Sequence, residues 1–326
     1  MKKKVLSMFN LIRNELMKIF KRTGTYVMIG LLVLMATVGG AYLKYQESGG
    51  TVPDNTEWKK GLEMENASFK KQIEEMNGSV QEEQINYLKQ QIAVNEYRIE
   101  NELSPNVDYS VWEFVSDNIN LIDFAGMFTI IIAAGIVASE FNWGTIKLLL
   151  IRPINRGKIL IAKYLSVLIF ALVVVGISFL YSTALGFILF GTPEVANPYL
   201  NYKQGVVSEQ SMFVHLLSSY GLNSIEMIML ATMAFMISAV FRSSSLAIGI
   251  SLFLMFTGGQ LAMLVAMKYD WAKYILFANT DLTQYFEGYP LVEGMTLTFS
   301  VIMLVVYFIL FQFLAHYVFK KRDVAA

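Results

Sequence analysis

The sequence predicts an all-α integral membrane protein with six transmembrane helices, an N-terminal amphipathic interfacial helix and an extracellular helical hairpin. Three observations carry this. Of the 326 residues, 55% are hydrophobic and only 16% charged, whereas a soluble domain is about a quarter charged; the mean hydropathy is +0.48. Six stretches meet or approach the roughly 20 apolar residues that a helix needs to cross a hydrocarbon core of about 30 Å. Lys and Arg concentrate in alternate connections between those stretches, as expected of loops facing one side of a membrane. Helices are the expected spanning element, because backbone groups in lipid must be satisfied within each segment or in a closed barrel. The alternation that marks barrel strands is absent.

The elements follow in order. Residues 1–22 place Val5, Met8, Phe9, Ile12, Leu16, Ile19 and Phe20 at helical spacing with Lys and Arg between them, which predicts an amphipathic helix on the membrane surface. Its bland role is to orient the first span; its functional role is a lever touching a cytoplasmic partner. Residues 23–44 form the first span, read as a retained anchor rather than a signal peptide because no small-residue cleavage site follows a short core. Residues 45–118 are the sizeable insertion, expected as an extracellular helical hairpin. Trp58, Leu62, Phe69, Ile73 and Met76 give one stripe, and Ile85, Leu88, Ile92, Ile99 and Leu103 a second, both near heptad spacing. Ser79 to Glu82 fits a capping box for the second helix, and Pro105 ends it. Val111, Trp112, Phe114 and Val115 suit a short interfacial helix with its tryptophan at the headgroups.

The second span is expected over 119–139, a cytoplasmic loop over 140–158, the third span over 159–191 and an extracellular loop over 192–215. Spans four and five (216–241 and 243–267) form a tight hairpin around Arg242. An extracellular or re-entrant segment (268–293), the sixth span (294–319) and a short tail (320–326) complete the chain. Lys2, Lys3, Lys4, Arg13, Lys18, Lys21 and Arg22 precede the first span. Lys147, Arg152, Arg156, Lys158 and Lys163 follow the second, and Lys320, Lys321 and Arg322 follow the sixth. The opposite side is acid-rich, as at Glu57, Glu63, Glu74 and Glu82. Both termini are therefore expected in the cytoplasm of a multi-pass cell-membrane protein.

Tests for chemistry are mostly negative. There is no cysteine, which excludes disulfides, thiolate metal sites and a cysteine nucleophile. Gly157-Lys158 is followed by Ile159 and lacks the upstream glycine of a phosphate-binding loop. Neither a G-x-S-x-G nor an H-E-x-x-H motif occurs. His215 and His316 read as interfacial or helix-contact residues. Glu226 is the acid well inside a span, and such residues are costly and often functional. Its structural reading, a partner to Asn223 or to another helix, is preferred here. An intramembrane enzyme using Glu226 as base would need a second polar group, for which Gln260 and Gln312 are available. No metal, cofactor or nucleic-acid partner is expected, and no enzymatic activity in this chain.

Between spans two and three the sequence runs from Ala138 to Lys163 as an acid, a Gly-Thr turn, an apolar run, Arg-Pro and a basic helix start. Proline removes an N–H and disfavours helix in the residue before it, so Arg152-Pro153 acts as a stop. The succession of Glu140, Gly144, Thr145, Pro153, Arg156 and Lys163 resembles that of ABC-2 type transporter permeases, the membrane subunits of exporters driven by a separate ATPase. The resemblance extends over the whole chain through its order of elements. It is nearest to a Firmicutes branch with a large first extracellular loop, which includes bacitracin- and lantibiotic-resistance permeases.

What the resemblance implies is export of a hydrophobic or amphipathic substrate, such as an antimicrobial peptide, antibiotic or lipid-like molecule. Two cytoplasmic ATPase subunits would be the partners, with a second permease copy or paralogue and membrane lipid around them. Glu140, Gly144, Thr145, Leu149, Ile151, Arg152, Pro153 and Arg156 would couple the chain to its ATPase, and Glu226 would be an intramembrane polar site. The alternative is a peptide-sensing or immunity protein whose extracellular hairpin binds the ligand, with transport secondary.

Overall fold

The computed structural model describes residues 8–49, 57–76, 82–105, 109–142, 155–193, 198–203, 205–287 and 290–321. Six of its helices are long and apolar enough to cross a membrane, and the fold is that of an all-α integral membrane protein.

The amphipathic helix α1 (Met8–Phe20) turns sharply into α2 (Thr23–Gly49). The Thr25 hydroxyl donates to the Ile19 carbonyl at 2.6 Å, which also accepts the Arg22 N–H at 3.3 Å, tying the start of α2 to the end of α1. Next, α3 (Trp58–Glu75) and α4 (Glu82–Glu100) pack against each other. Their seam buries Leu62, Leu88 and Ile92, but also Asn66 and Asn95, whose amides bond at 3.0 Å. Ser79 and the proposed capping box of α4 lie outside the described residues.

Helix α5 (Val111–Asp117) starts at a capping box. Ser110 accepts the Trp112 N–H, while Glu113 accepts both the Ser110 N–H, at 3.0 Å, and the Ser110 hydroxyl. One 3-10 turn (Asn118–Asn120) joins α5 to α6 (Leu121–Asn142), and the two form a single apolar stretch from Val111 to Phe141. Helix α5 is packed into the bundle rather than lying on its surface. Val111, Phe114 and Val115 are at most 1% exposed, packed beneath α7 (Arg156–Leu189) and α8 (Met212–Phe241). Gly186 of α7 makes this possible, since a Cβ there would stand 3.0 Å from the Val111 side chain.

Residues 192–215 are not simply a loop. They contain an antiparallel hairpin, β1 (Tyr199–Lys203) and β2 (Val206–Gln210), with Tyr199 opposite Gln210 and Gly205 at positive φ in its turn. Helix α8 then starts at Met212, a turn earlier than the apolar run suggests. Its last residue passes to Arg242, which is left-handed (φ 55°), and Ser243 caps α9 (Ser244–Ala266) by accepting the Leu246 N–H. A 3-10 turn (Asp270–Tyr274), α10 (Leu276–Asn279) and α11 (Gln284–Glu287) fold back against α9 and α12 (Leu297–Lys321). Phe277 lies so close to Gly258 that a Cβ there would come within 2.4 Å of its ring.

The core is the α6–α8 pair. In the most apolar 18-residue stretch of each, 67% of residues are buried, against 17% for α2, α9 and α12. Ala125, Ala133, Ala134 and Ala138 let the backbones approach. Ser238 of α8 donates to the Ala134 carbonyl at 2.6 Å and accepts the Ala138 N–H at 3.1 Å. It thus inserts between two groups that an uninterrupted helix would pair with each other.

Candidate functional site

Four charged side chains meet where α1, the end of α6 and the start of α7 come together. Glu15 lies on α1, three residues after Ile12 and four before Ile19, so helical periodicity puts it on the apolar face. Lys163 lies two turns into α7 and its side chain is 1% exposed. Its ammonium donates to Glu15 Oε2 at 2.8 Å and to Glu140 Oε1, in the last turn of α6, at 3.1 Å. Lys18, half-exposed, closes the ring by donating to Glu15 Oε1 at 3.0 Å and Glu140 Oε1 at 2.9 Å. Two carboxylates and two ammoniums cancel. This is the arrangement that makes buried charge tolerable, since each ion has an opposite partner and further hydrogen bonds.

Burial disfavours the charged form of Lys18. The Glu140 and Glu15 carboxylates beside it outweigh that effect and raise its pKa above the ordinary 10.5. Around the cluster, Ser166 of α7 reaches the Ile12 carbonyl, and Phe20 meets Phe170 with ring centres 5.9 Å apart. Arg242, in the α8–α9 turn, stacks its guanidinium over Phe141 at 4.4 Å, and Phe141 also meets Phe319 at the end of α12. Lys320 lies against Gly157 at the start of α7. Helix α1, the α8–α9 turn and the end of α12 therefore converge on the ends of α6 and α7.

The sequence-derived site residues distribute as follows. Glu140 stands in the cluster, and Arg156 begins α7, next to the cap in which Asn155 accepts the Gly157 N–H. Gly144, Thr145, Leu149, Ile151, Arg152 and Pro153 lie outside the described residues. Glu226 lines a cavity between α6, α8 and α9, together with Asn223 and Gln260. The expected Glu226–Asn223 pair does not form. Asn223 donates instead to the Ser219 carbonyl at 2.8 Å, and Thr280 lies near the Glu226 carboxyl. Gln312 lies elsewhere, beside Tyr164. His215 stacks on Tyr199 of β1, and His316 meets the Gln312 carbonyl within its own helix. The residue that sequence reasoning passed over is Glu15; an acid on the apolar face of an amphipathic helix was the available signal.

A family model described as "Protein of unknown function (DUF2705)" matches residues 80–325. YhcI of Bacillus subtilis, described as an uncharacterized protein, is 52% identical over 320 residues, 98% of this chain and 100% of the relative. YdbK of the same organism, described as an uncharacterized membrane protein, is 33% identical over 198 residues, 60% of this chain and 76% of the relative. With its six apolar helices and this match over most of its length, the chain belongs to the DUF2705 family and is a multi-pass membrane protein.

Proposed function

We propose that this chain is the membrane-spanning permease subunit of an ATP-driven exporter of the ABC-2 type. It sits in the cell membrane with both termini in the cytoplasm and passes a hydrophobic or amphipathic substrate outward. Two separate ATPase subunits dock beneath it, and a second permease copy or paralogue completes the path.

The observation that carries this reading is the Glu15–Lys18–Glu140–Lys163 cluster. A transporter driven from the cytoplasm needs its docking segment tied mechanically to its spans. The cluster joins the amphipathic helix to both helix ends that flank residues 143–154, so a displacement of that segment moves α1, α6 and α7 together. Such transmission suits interfaces that hold discrete packings rather than deforming continuously. The sequence of the segment fits the same role. Its apolar run from Ile146 to Ile151 is poorly suited to water, and Lys147 and Arg152 keep it out of lipid, as expected of a surface that enters a partner's groove.

Coexpression with each phosphate-binding-loop ATPase of the host in turn tests the reading. One ATPase should copurify, and its hydrolysis rate should change on binding. The double substitution Leu149→Asp/Ile151→Asp should insert normally yet reduce copurification and rate change to background. Failure of every ATPase to copurify with the wild-type chain would overturn the assignment.

A further inference from the structure

Helices α6, α8 and α9 enclose a second polar feature, a cavity of about 260 Å³. It lies near the start of α6, about 25 Å along that helix from the ion cluster at 1.5 Å per residue. Asp123, Phe256, Gly259 and Gln260 form an exposed rim on the outer surface of the bundle, while Glu226 and Met227 lie deeper. The cavity therefore faces whatever surrounds the protein, which for a membrane-spanning bundle includes the bilayer.

The carboxylates here lack what this chain supplies elsewhere. Glu15 and Glu140 are buried and each is met by two ammoniums, whereas Glu226 is half-buried and Asp123 exposed. Among the described residues, no ion pair involves Asp123, Glu226 or the nearby Asp281. The charged groups near Glu226 are Asp281 and Asp123, both acids, and the neutral Thr280 hydroxyl lies beside it. Asp281 is itself occupied by the Thr283 N–H and hydroxyl. An acid inside a span is costly unless it is paired or neutralised by a proton, and a cation from outside the chain is the partner that would let these carboxylates stay charged.

The lining indicates which cation. Among the described residues, no three acidic, histidine or cysteine side chains converge closely enough to hold a metal ion, and calcium or magnesium would need six or more oxygens. The walls instead offer Met255 and Phe256 beside the polar groups, and thioether and aromatic surfaces suit an alkyl ammonium. We propose that this cavity binds the protonated amine end of a cationic amphiphile, with Glu226 and Asp123 receiving the charge. As a statement of substrate class it rests on the exporter reading above; as a binding site it does not.

Binding can be measured on the full chain alone, purified in dodecyl maltoside, a detergent with no ammonium group. The probe is monodansylcadaverine, a primary amine on an aromatic body, and its N-acetyl derivative is the neutral control. Saturable binding of the amine and not of the acetylated form is expected. Glu226→Gln should weaken it by roughly tenfold or more, the loss of one charge-assisted contact.

Gly259→Leu tests the same site with every carboxylate intact. A Cβ at Gly259 meets nothing within 4 Å, so the helix should accept the side chain while the cavity fills, and binding should fall in a chain that elutes normally. Competition by dodecylamine but not by phosphatidylethanolamine assigns the site to a foreign amphiphile; competition by both extends it to aminolipids. Equal binding of probe and acetylated control, or undiminished binding in both variants, would overturn the proposal. None of these outcomes bears on ATPase copurification, so the two readings fail independently.

Discussion

Lys163 shows how a single side chain can hold three elements. Its ammonium is almost wholly removed from solvent and bonded to acids on two other helices, so removing it takes a buried ion-pair partner from both Glu15 and Glu140. Breaking one partner of a buried pair typically costs about 3–5 kcal/mol, whereas an exposed partner is worth about 1 kcal/mol or less. Lys163→Met should therefore lower thermal stability in detergent far more than Lys18→Ala, as read by fluorescence-detected size exclusion after heating. Equal losses would mean that the cluster does not hold α1. The Lys18 contribution has a defined pH sense. A raised folded pKa gives stability that is complete below the unfolded value near 10.5 and is lost as pH rises through the folded one. The pairing therefore does not vary across physiological pH. Glu140 and Lys163 were legible from their places in the loop motif. Glu15 was not, because proximity in a folded bundle joins positions 148 residues apart.

At the scale of elements, the α3–α4 hairpin is the clearest case of a unit that satisfies itself. Its seam is closed by Leu62, Leu88 and Ile92 and by the Asn66–Asn95 amide pair. Its other packing is with the β-hairpin, where the Tyr97 hydroxyl reaches Glu209 at 3.3 Å. Heptad spacing made the two helices readable, but the polar layer was not, since an asparagine at a core position looks like a solvent-facing residue until its partner is known. The β-hairpin was missed because Tyr199–Gln210 alternates weakly and β2 is largely exposed. Replacing residues 54–104 by a short Gly-Ser linker should leave insertion and size-exclusion behaviour unchanged. It should also open the β-hairpin to limited proteolysis, because α4 no longer covers it. Degradation of the shortened chain in cells would show instead that the hairpin is part of the packing of the whole.

For the molecule as a whole, the number of spans was legible and their arrangement was not. Helices α2 and α8 both carry long apolar stretches, yet one is peripheral and the other central. In lipid a leucine gains little by moving from the bilayer to a neighbouring helix, so apolarity marks the span and not the core. The marks of the core are the small and polar residues, such as the alanines of α6 and Ser238 of α8. Orientation comes from a different signal. The chain carries 26 basic and 26 acidic residues, but the basic ones gather in sequence before α2, between α6 and α7 and at the end of α12, and the α3–α4 hairpin is acid-rich. Short basic loops tend to stay on the cytoplasmic side, so the expected orientation has α1 inside and the hairpin outside. Because the native chain has no cysteine, Ser79→Cys and Asn155→Cys each introduce a single reporter. An impermeant maleimide applied to intact cells should label the first and spare the second until the membrane is permeabilised. Labelling in the opposite sense would invert the topology and carry the ion cluster to the outer face, where no cytoplasmic ATPase could act on it.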